Sequence, residues 1–256
     1  MTTCRYDGCS ETLCGDSAWC ILHLDFPKED DPEFTRIRDE KQLKTKEKIA
    51  GGDLNFEGTN IYDVDASDVS VPAKNNAIFK NATIKGRVKF ERTKIEKSTL
   101  FDGAKIEKNA TFAGAQIGGD VRFERAEIGG GATFAGVEIG GEAWFKRAKI
   151  GKHATFAGAR IGGDVRFEGA EIGGDAWFGG AEIEGNVRFE GAEIGGEAWF
   201  RDAQIGGEVR FEEAEIGGDV LFEGAEIGGD VRLEGAEIGG DTCVEGAEIG
   251  GTLNII

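Results

Sequence analysis

Proline is nearly missing from this chain, with 3 residues in 256 against 42 glycines. Collagen needs a strict triplet with proline, so that class is excluded, and a flexible Gly/Ser linker is argued against as well. No apolar run reaches the ~18 residues that a membrane span needs. The N-terminal MTTCRYDGC has neither the basic nor the apolar region of a signal peptide. These lacks point to a soluble, cytoplasmic protein with no membrane partner. Histidine is scarce too: only His23 and His153 exist. No nucleophile–histidine–acid set can be assembled from them, which argues against an enzyme.

Basic residues are short in one half only. Residues 1–160 hold 25 acidic and 25 basic side chains, whereas residues 161–256 hold 23 acidic and 5 basic, the whole of the net −18. Phosphate contact needs Lys and Arg, so the C-terminal half is not expected to bind nucleic acid. Its excess suits solubility, cations, a basic partner or a high-salt habitat.

What is abundant is repetition. "GGDVRFEGAEIGG", Gly162 to Gly174, returns with small edits down the second half. Phe recurs every 11 residues from Phe79 to Phe222, and Leu233, Val244 and Ile255 continue the series. A fixed period of this kind is the signature of a solenoid. Within one unit the apolar or small positions are Val165, Phe167, Ala170 and Ile172. A pair two apart is a short strand showing one face inward, and the longer steps are corners. Gly173 and Gly174 lie in the longer corner, where positive φ is expected. Glycine doublets at every unit would cost a helix ~2 kcal/mol per unit.

The chain here resembles the pentapeptide-repeat family, in the variant with units A-x-F-x-G-x-A-x-F-x-x. "ATFAGARIGGDVRFEGA", Ala154 to Ala170, fits that pattern with Ile or Val at some Phe or Ala places. The resemblance runs from about residue 51 to the end and implies a right-handed quadrilateral β-helix. Leu54, Phe56, Thr59, Ile61, Val64, Ala66, Val69 and Val71 support four sides by a five-residue rhythm, and "PAKNN" then interrupts it. About nine coils of ~22 residues follow, an all-β solenoid with Phe and Ile stacked in its core.

Residues 22 apart then stack on the outside. One column reads Arg122, Trp144, Arg166, Arg188, Arg210, Arg232, beside Glu124, Lys146, Glu168, Glu190, Glu212, Glu234. It is expected to be a solvated salt-bridge face. A second column reads Thr111, Thr133, Thr155, Trp177, Trp199, Leu221, Cys243. Its last four members make an apolar stripe, either a contact surface or a row of strong strand formers tolerated on a flat sheet. Glu171, Glu193, Glu215 and Glu237 form one acidic ladder; Glu182, Glu226 and Glu248 form another, with Gln204 between. Three roles suit such a ladder: solubility, cation binding and mimicry of nucleic-acid charge. Mimicry is suggested by fold analogy, since some relatives are acidic rods that resemble DNA and bind topoisomerases.

Four of the five cysteines lie near the N-terminus. Cys4-x4-Cys9 and Cys20-x2-His23 have the spacing of two arms of a tetrahedral Zn²⁺ site, with Cys14 able to replace any one of them. A disulfide pair or free thiols are the plain alternative, which a cytosolic setting disfavours. "WCILHLDFP" resembles the end of a C-x4-C…C-x2-H motif that precedes such repeats in related proteins. Asp31-Pro32-Glu33 then starts a helix, and Gly51-Gly52 stops it. Phe34, Ile37 and Ile49 mark the face of that helix that caps the first coil.

The expected organisation is a Cys/His knob over 1–28, a capping helix over 29–50 and the β-helix over 51–256. The expected function is a non-enzymatic interaction rod with a structural zinc and an unknown protein partner. The alternatives are an acidic nucleic-acid mimic bound to a DNA-handling enzyme and a self-assembling scaffold. Trp177, Trp199 and Leu221 are the candidate contact residues on the stripe. Ile255 and Ile256 are candidates for an end-to-end homodimer, a contact that some relatives of the family also make.

Overall fold

The computed structural model describes residues 4–7, 9, 13–14, 17–71 and 75–254. One helix, α1 (Glu33–Ala50), precedes a series of two-residue strands that runs from β1 (Asn60–Ile61) to β36 (Leu253–Asn254). The strands form four parallel sheets of nine strands each. Every fourth strand pairs with its counterpart one coil away. Val165 pairs with Val187, for example, and Glu171 with Glu193. The register is therefore 22 residues, and the rod has about nine turns, as the 11-residue period predicts.

The first coil departs from that register. Asn60 pairs with Thr83 and Val64 with Val88, steps of 23 and 24, before Ala77 pairs with Thr99 at 22. Pro72, Ala73 and Lys74 of the interrupting "PAKNN" stretch lie outside the described residues.

The four faces follow chain order. Face 1 begins with β1, face 2 with β2 (Val64–Asp65), face 3 with β3 (Ser70–Val71) and face 4 with β4 (Ala77–Ile78). Faces 1 and 3 adjoin face 2; face 4 lies opposite it. In nearly every strand one residue is buried and its neighbour is turned outward, because strand side chains alternate.

The core is two columns of phenylalanine. Phe79, Phe101 and Phe123 stack at 4.6 and 4.7 Å with rings 2° apart. Each ring meets the other column edge-on, as Phe101 meets Phe112 at 5.9 Å and 88°. Offset stacks and edge contacts are the favourable aromatic geometries. Burying each ring contributes ~1.5–3 kcal/mol, so the Phe series is core throughout.

The glycines divide the corners differently from the sequence expectation. Positive φ occurs at the corner after each Phe, as at Gly169, Gly180 and Gly191, and there Arg125, Arg147, Asp202 and Glu213 also adopt it. Gly173 and Gly174 do not have positive φ. They are needed because neighbouring coils approach closely. A Cβ on Gly173 would lie 2.6 Å from the Gly151 carbonyl oxygen, and one on Gly174 would lie 2.7 Å from His153 Nδ1.

Side chains seal these same corners. Asp164 Oδ1 accepts the Asn186 N–H at 2.9 Å, and Asn186 Oδ1 accepts the Glu208 N–H at 2.9 Å. The residue after the glycine doublet is thus often Asp or Asn, because a short acceptor reaches the next coil's amide.

Helix α1 starts where Asp31 Oδ1 accepts the Glu33 N–H at 2.8 Å. Its buried residues are Phe34, Ile37, Lys41, Thr45 and Ile49, a stripe spaced three or four apart. Ile49 joins the same hydrophobic cluster as Cys4, Cys20, Leu22 and the first coil. The ladder also continues into the Cys/His segment, since the Asn60 N–H donates to the Leu22 carbonyl at 2.7 Å. The cap of the solenoid is therefore the helix and the Cys/His segment together.

Candidate metal centre and outer faces

The Cys/His segment turns back on itself through short backbone bonds. The Arg5 N–H donates to Ala18 O at 3.0 Å, and the His23 N–H to Cys20 O at 3.1 Å. These turns bring Cys4, Cys9, Cys20 and His23 together, with their ligand atoms all within 4.8 Å of one another. No disulfide joins any cysteine among the described residues. The cluster does not include Cys14, whose backbone N–H donates to Trp19 O instead.

The donor set fits a tetrahedral metal ion. Four ligands at ~2.3 Å from a centre stand about 3.8 Å apart. The Cys9 and Cys20 sulfurs are 3.8 Å apart, and Cys4 Sγ is 3.6 Å from His23 Nδ1, while Cys20 Sγ is closer to that nitrogen, at 3.1 Å. The imidazole is held in the tautomer a ligand needs. His23 Nε2 lies 3.1 Å from the Glu57 carbonyl, so it carries the proton and leaves the Nδ1 lone pair facing the sulfurs. Tyr6 stacks on the same ring at 4.2 Å and 9°.

Electrostatics prepare the thiols unequally. Burial works against ionisation of Cys4, but hydrogen bonds from the backbone N–H groups of Cys20 and Tyr6 outweigh it and lower the thiol to about 7. Burial pushes the Cys20 thiol up. A cluster with one thiol already near neutrality can take up a cation by releasing protons.

Three features of this region lay outside the sequence reading. Tyr6 and the Glu57 carbonyl fix His23, and no spacing signals either. Gly58 lies under Tyr6, where a Cβ would fall 2.1 Å from the ring. Lys41 is wholly buried, and its Nζ donates to the carbonyls of Leu24 and Asn60. Burial pushes its ammonium down to about 8. The three-to-four spacing from Phe34 and Ile37 to Ile49 passes through Lys41 and was the available signal.

On face 4 the arginines stack as the sequence predicts, but most of their partners differ. Arg166 bonds Asp164 at 3.0 Å and lies 3.2 Å from Glu142; Arg232 bonds Asp230 at 2.9 Å. The expected column across Phe supplies fewer pairs, such as Arg122–Glu124 and Arg210–Glu190 at 3.7 Å. The corner acids win because they sit beside the strand that bears the arginine. Trp144 lies between Arg122 and Arg166, 5.2 and 4.5 Å from its ring.

On face 2 the outward row runs Thr155, Trp177, Trp199, Leu221, Cys243 in register. Trp177 is 39 % exposed and Trp199 half-buried, whereas Leu221 is only 6 % exposed. Leu221 thus fills the row between Trp199 and Cys243 rather than standing above it. His153 stacks on Trp177 at 5.6 Å, and its Nδ1 accepts the Asp175 N–H at 3.0 Å. Ile255 and Ile256 lie outside the described residues.

A four-sided parallel coil with flat, laddered faces defines a quadrilateral β-solenoid. Residues 79–127, 123–171 and 167–215 each match the family described as pentapeptide repeats (9 copies). Together these segments cover more than half of the chain, and the chain belongs to that family. No curated protein and no solved structure matches it. No helix among the described residues is long and apolar enough to cross a membrane.

Proposed function

We infer that the chain is a non-enzymatic, protein-binding rod whose N-terminal cap is closed by a structural zinc ion. The observation that carries the contact role is the outward row of Trp177 and Trp199. Most other large apolar side chains of the regular coils are buried in the core, and Trp144 is covered by two arginines. Trp177 stands 39 % exposed on an otherwise charged rod, with Trp199 half-buried beside it under Arg201, and aromatic surface of this kind has the composition of a contact surface. Zinc is favoured over other metals by a donor set of three sulfurs and one nitrogen gathered within 4.8 Å of one another. Four protein ligands close its shell, which makes the ion structural. Reduced thiols suit a cytoplasmic location. Knob 1–28, helix 29–50 and solenoid 51–256 are the working units of this reading, although the first two form one cap.

The test is affinity capture with quantitative mass spectrometry on wild-type protein and on W177T/W199T. The contact role predicts partners retained by the first and lost from the second. Equal recovery from both proteins removes the row from the reading.

Self-association is a second reading, favoured by the last described coil. There Val244 is exposed and Ile238, Ile249 and Leu253 are part-exposed. A second copy meeting this edge, with Ile255 and Ile256 in the contact, would form a closed two-fold dimer. Sedimentation of wild-type protein and V244K at low and high salt tests it. A monomer throughout at micromolar concentration removes this reading.

A further inference from the structure

We propose that the face 2 row is the seat of a basic amphipathic helix, about three turns long, from a partner protein. The inference rests on the row being a contact surface and adds the chemistry of what lies on it.

Charge placement gives the sign of the partner. Face 1, beside the row, presents exposed Glu171, Glu193, Glu215 and Glu237. Face 3, on the other side, presents exposed Glu182, Glu226 and Glu248 with Gln204 between. Residues 161–256 contain only five basic side chains, and Arg166, Arg188, Arg210 and Arg232 all belong to face 4, on the opposite side. The fifth, Arg201, lies 5.2 Å over the Trp199 ring and is held by two bonds to Glu223, at 3.1 and 2.6 Å. Apart from Arg201, whose charge is paired with Glu223, the row is thus an apolar strip between two acidic ladders. An acidic segment or an anionic lipid surface would be repelled; Lys and Arg on both flanks of an apolar stripe would be matched.

Spacing gives the shape. Successive rows of a parallel sheet are ~4.8 Å apart, so the four positions from Trp177 to Cys243 span ~14 Å. A helix repeats its apolar face every 5.4 Å, close to that spacing, and three turns cover ~16 Å. An extended strand repeats a face every ~6.7 Å and falls out of step within two rows. Long basic side chains can lay their stems across the corners and place their charges beside the Glu ladders.

The probe is a fluorescein-labelled 14-residue Leu/Lys peptide with leucines at helical spacing. Its controls are a scramble of the same composition and a Leu/Glu version with the same stripe. Binding is read by anisotropy and by tryptophan emission of the full-length protein. The Leu/Lys helix should bind at least tenfold more tightly than either control and weaken at least tenfold on going from 50 to 500 mM salt. W177T/W199T should weaken it at least tenfold; Thr already fills this row at Thr111, Thr133 and Thr155, so the variant should keep its fold, checked by circular dichroism. E171Q/E193Q/E215Q, which alters only exposed side chains, should weaken binding while leaving the tryptophan row intact. Equal binding of the scramble, or binding indifferent to both variants, overturns the proposal. Binding of the Leu/Glu helix at the row without the Leu/Lys one overturns the basic partner yet leaves the contact surface standing. Failure of all three peptides to bind overturns the helix. Self-association that is lost in W177T/W199T makes a second copy the occupant and also overturns it.

Discussion

At the scale of single residues, two kinds of position carry the molecule: metal-type ligands and corner glycines. Cys4, Cys9, Cys20 and His23 form the cluster, and Cys14 stands outside it. Purified protein should hold about one Zn²⁺ per chain, as four such ligands bind a single ion. C20S should lose it, and C14S should keep it. Elemental analysis of protein purified under reducing conditions without chelators decides this. A metal-free wild type, or a C20S variant that keeps its ion, is the contrary outcome. The glycines make a paired prediction. Gly191 has φ +61° and nothing within 4 Å of where a Cβ would stand, whereas a Cβ on Gly195 would lie 2.7 Å from the Gly173 carbonyl oxygen. G191A should cost about 1 kcal/mol, the left-handed penalty for an L-residue. G195A should cost more, because backbone in two coils must shift. Denaturant midpoints of the two variants check the order.

At the scale of elements, the repeat was legible because its signal is redundant. Each Phe and Ile recurs at one register, so an error in one unit is overruled by its neighbours. The four sides, the 22-residue coil and the outward columns all followed from spacing. The conformation of the Gly-Gly corner did not. A sequence pattern cannot separate a glycine needed for positive φ from one needed for close approach, and Gly169 and Gly173 serve these different needs. The Cys/His cluster was legible from the spacing of its residues, but its support was not, since Tyr6, Glu57 and Lys41 act through tertiary contacts. Lys41 gives the prediction at this scale. K41M keeps the volume of the stripe but leaves the Leu24 and Asn60 carbonyls without their donor, each at a cost of ~1–3 kcal/mol. Solenoid stability is largely a sum of nearest-neighbour terms. Hydrogen exchange should therefore quicken in β1 to β4 and stay unchanged beyond the middle coils. Uniform quickening along the rod would show that the cap governs the whole solenoid.

At the scale of the whole molecule, the net charge of −18 and its confinement to the C-terminal half govern the response to salt and pH. Glutamates stacked ~4.8 Å apart repel by ~1 kcal/mol in water and more beside protein. Salt screens that repulsion, so stability should rise with ionic strength. The pH response has two limbs. Burial, with Glu168 and Glu212 nearby, pushes the Glu190 carboxyl up. The folded state then binds this proton more readily than the unfolded one, so stability falls as pH rises from the ordinary carboxylate range through the folded pKa. Asp68, Glu223 and Asp230 are pushed the other way, chiefly by hydrogen bonds from Arg92, from Arg201 and from the Thr252 N–H respectively. Their contribution is present above the ordinary range and is lost as pH falls through their lowered values. Stability should therefore peak in the ordinary carboxylate range, at about pH 4 to 4.5, where the two limbs meet. Thermal unfolding in matched buffers from pH 3 to 8 measures the curve. E190Q should flatten the limb above the peak, and E223Q the limb below it. A wild-type curve that rises steadily to pH 8 would mean that repulsion along the ladder is already relieved by solvent, and that Glu190 titrates as an ordinary surface group.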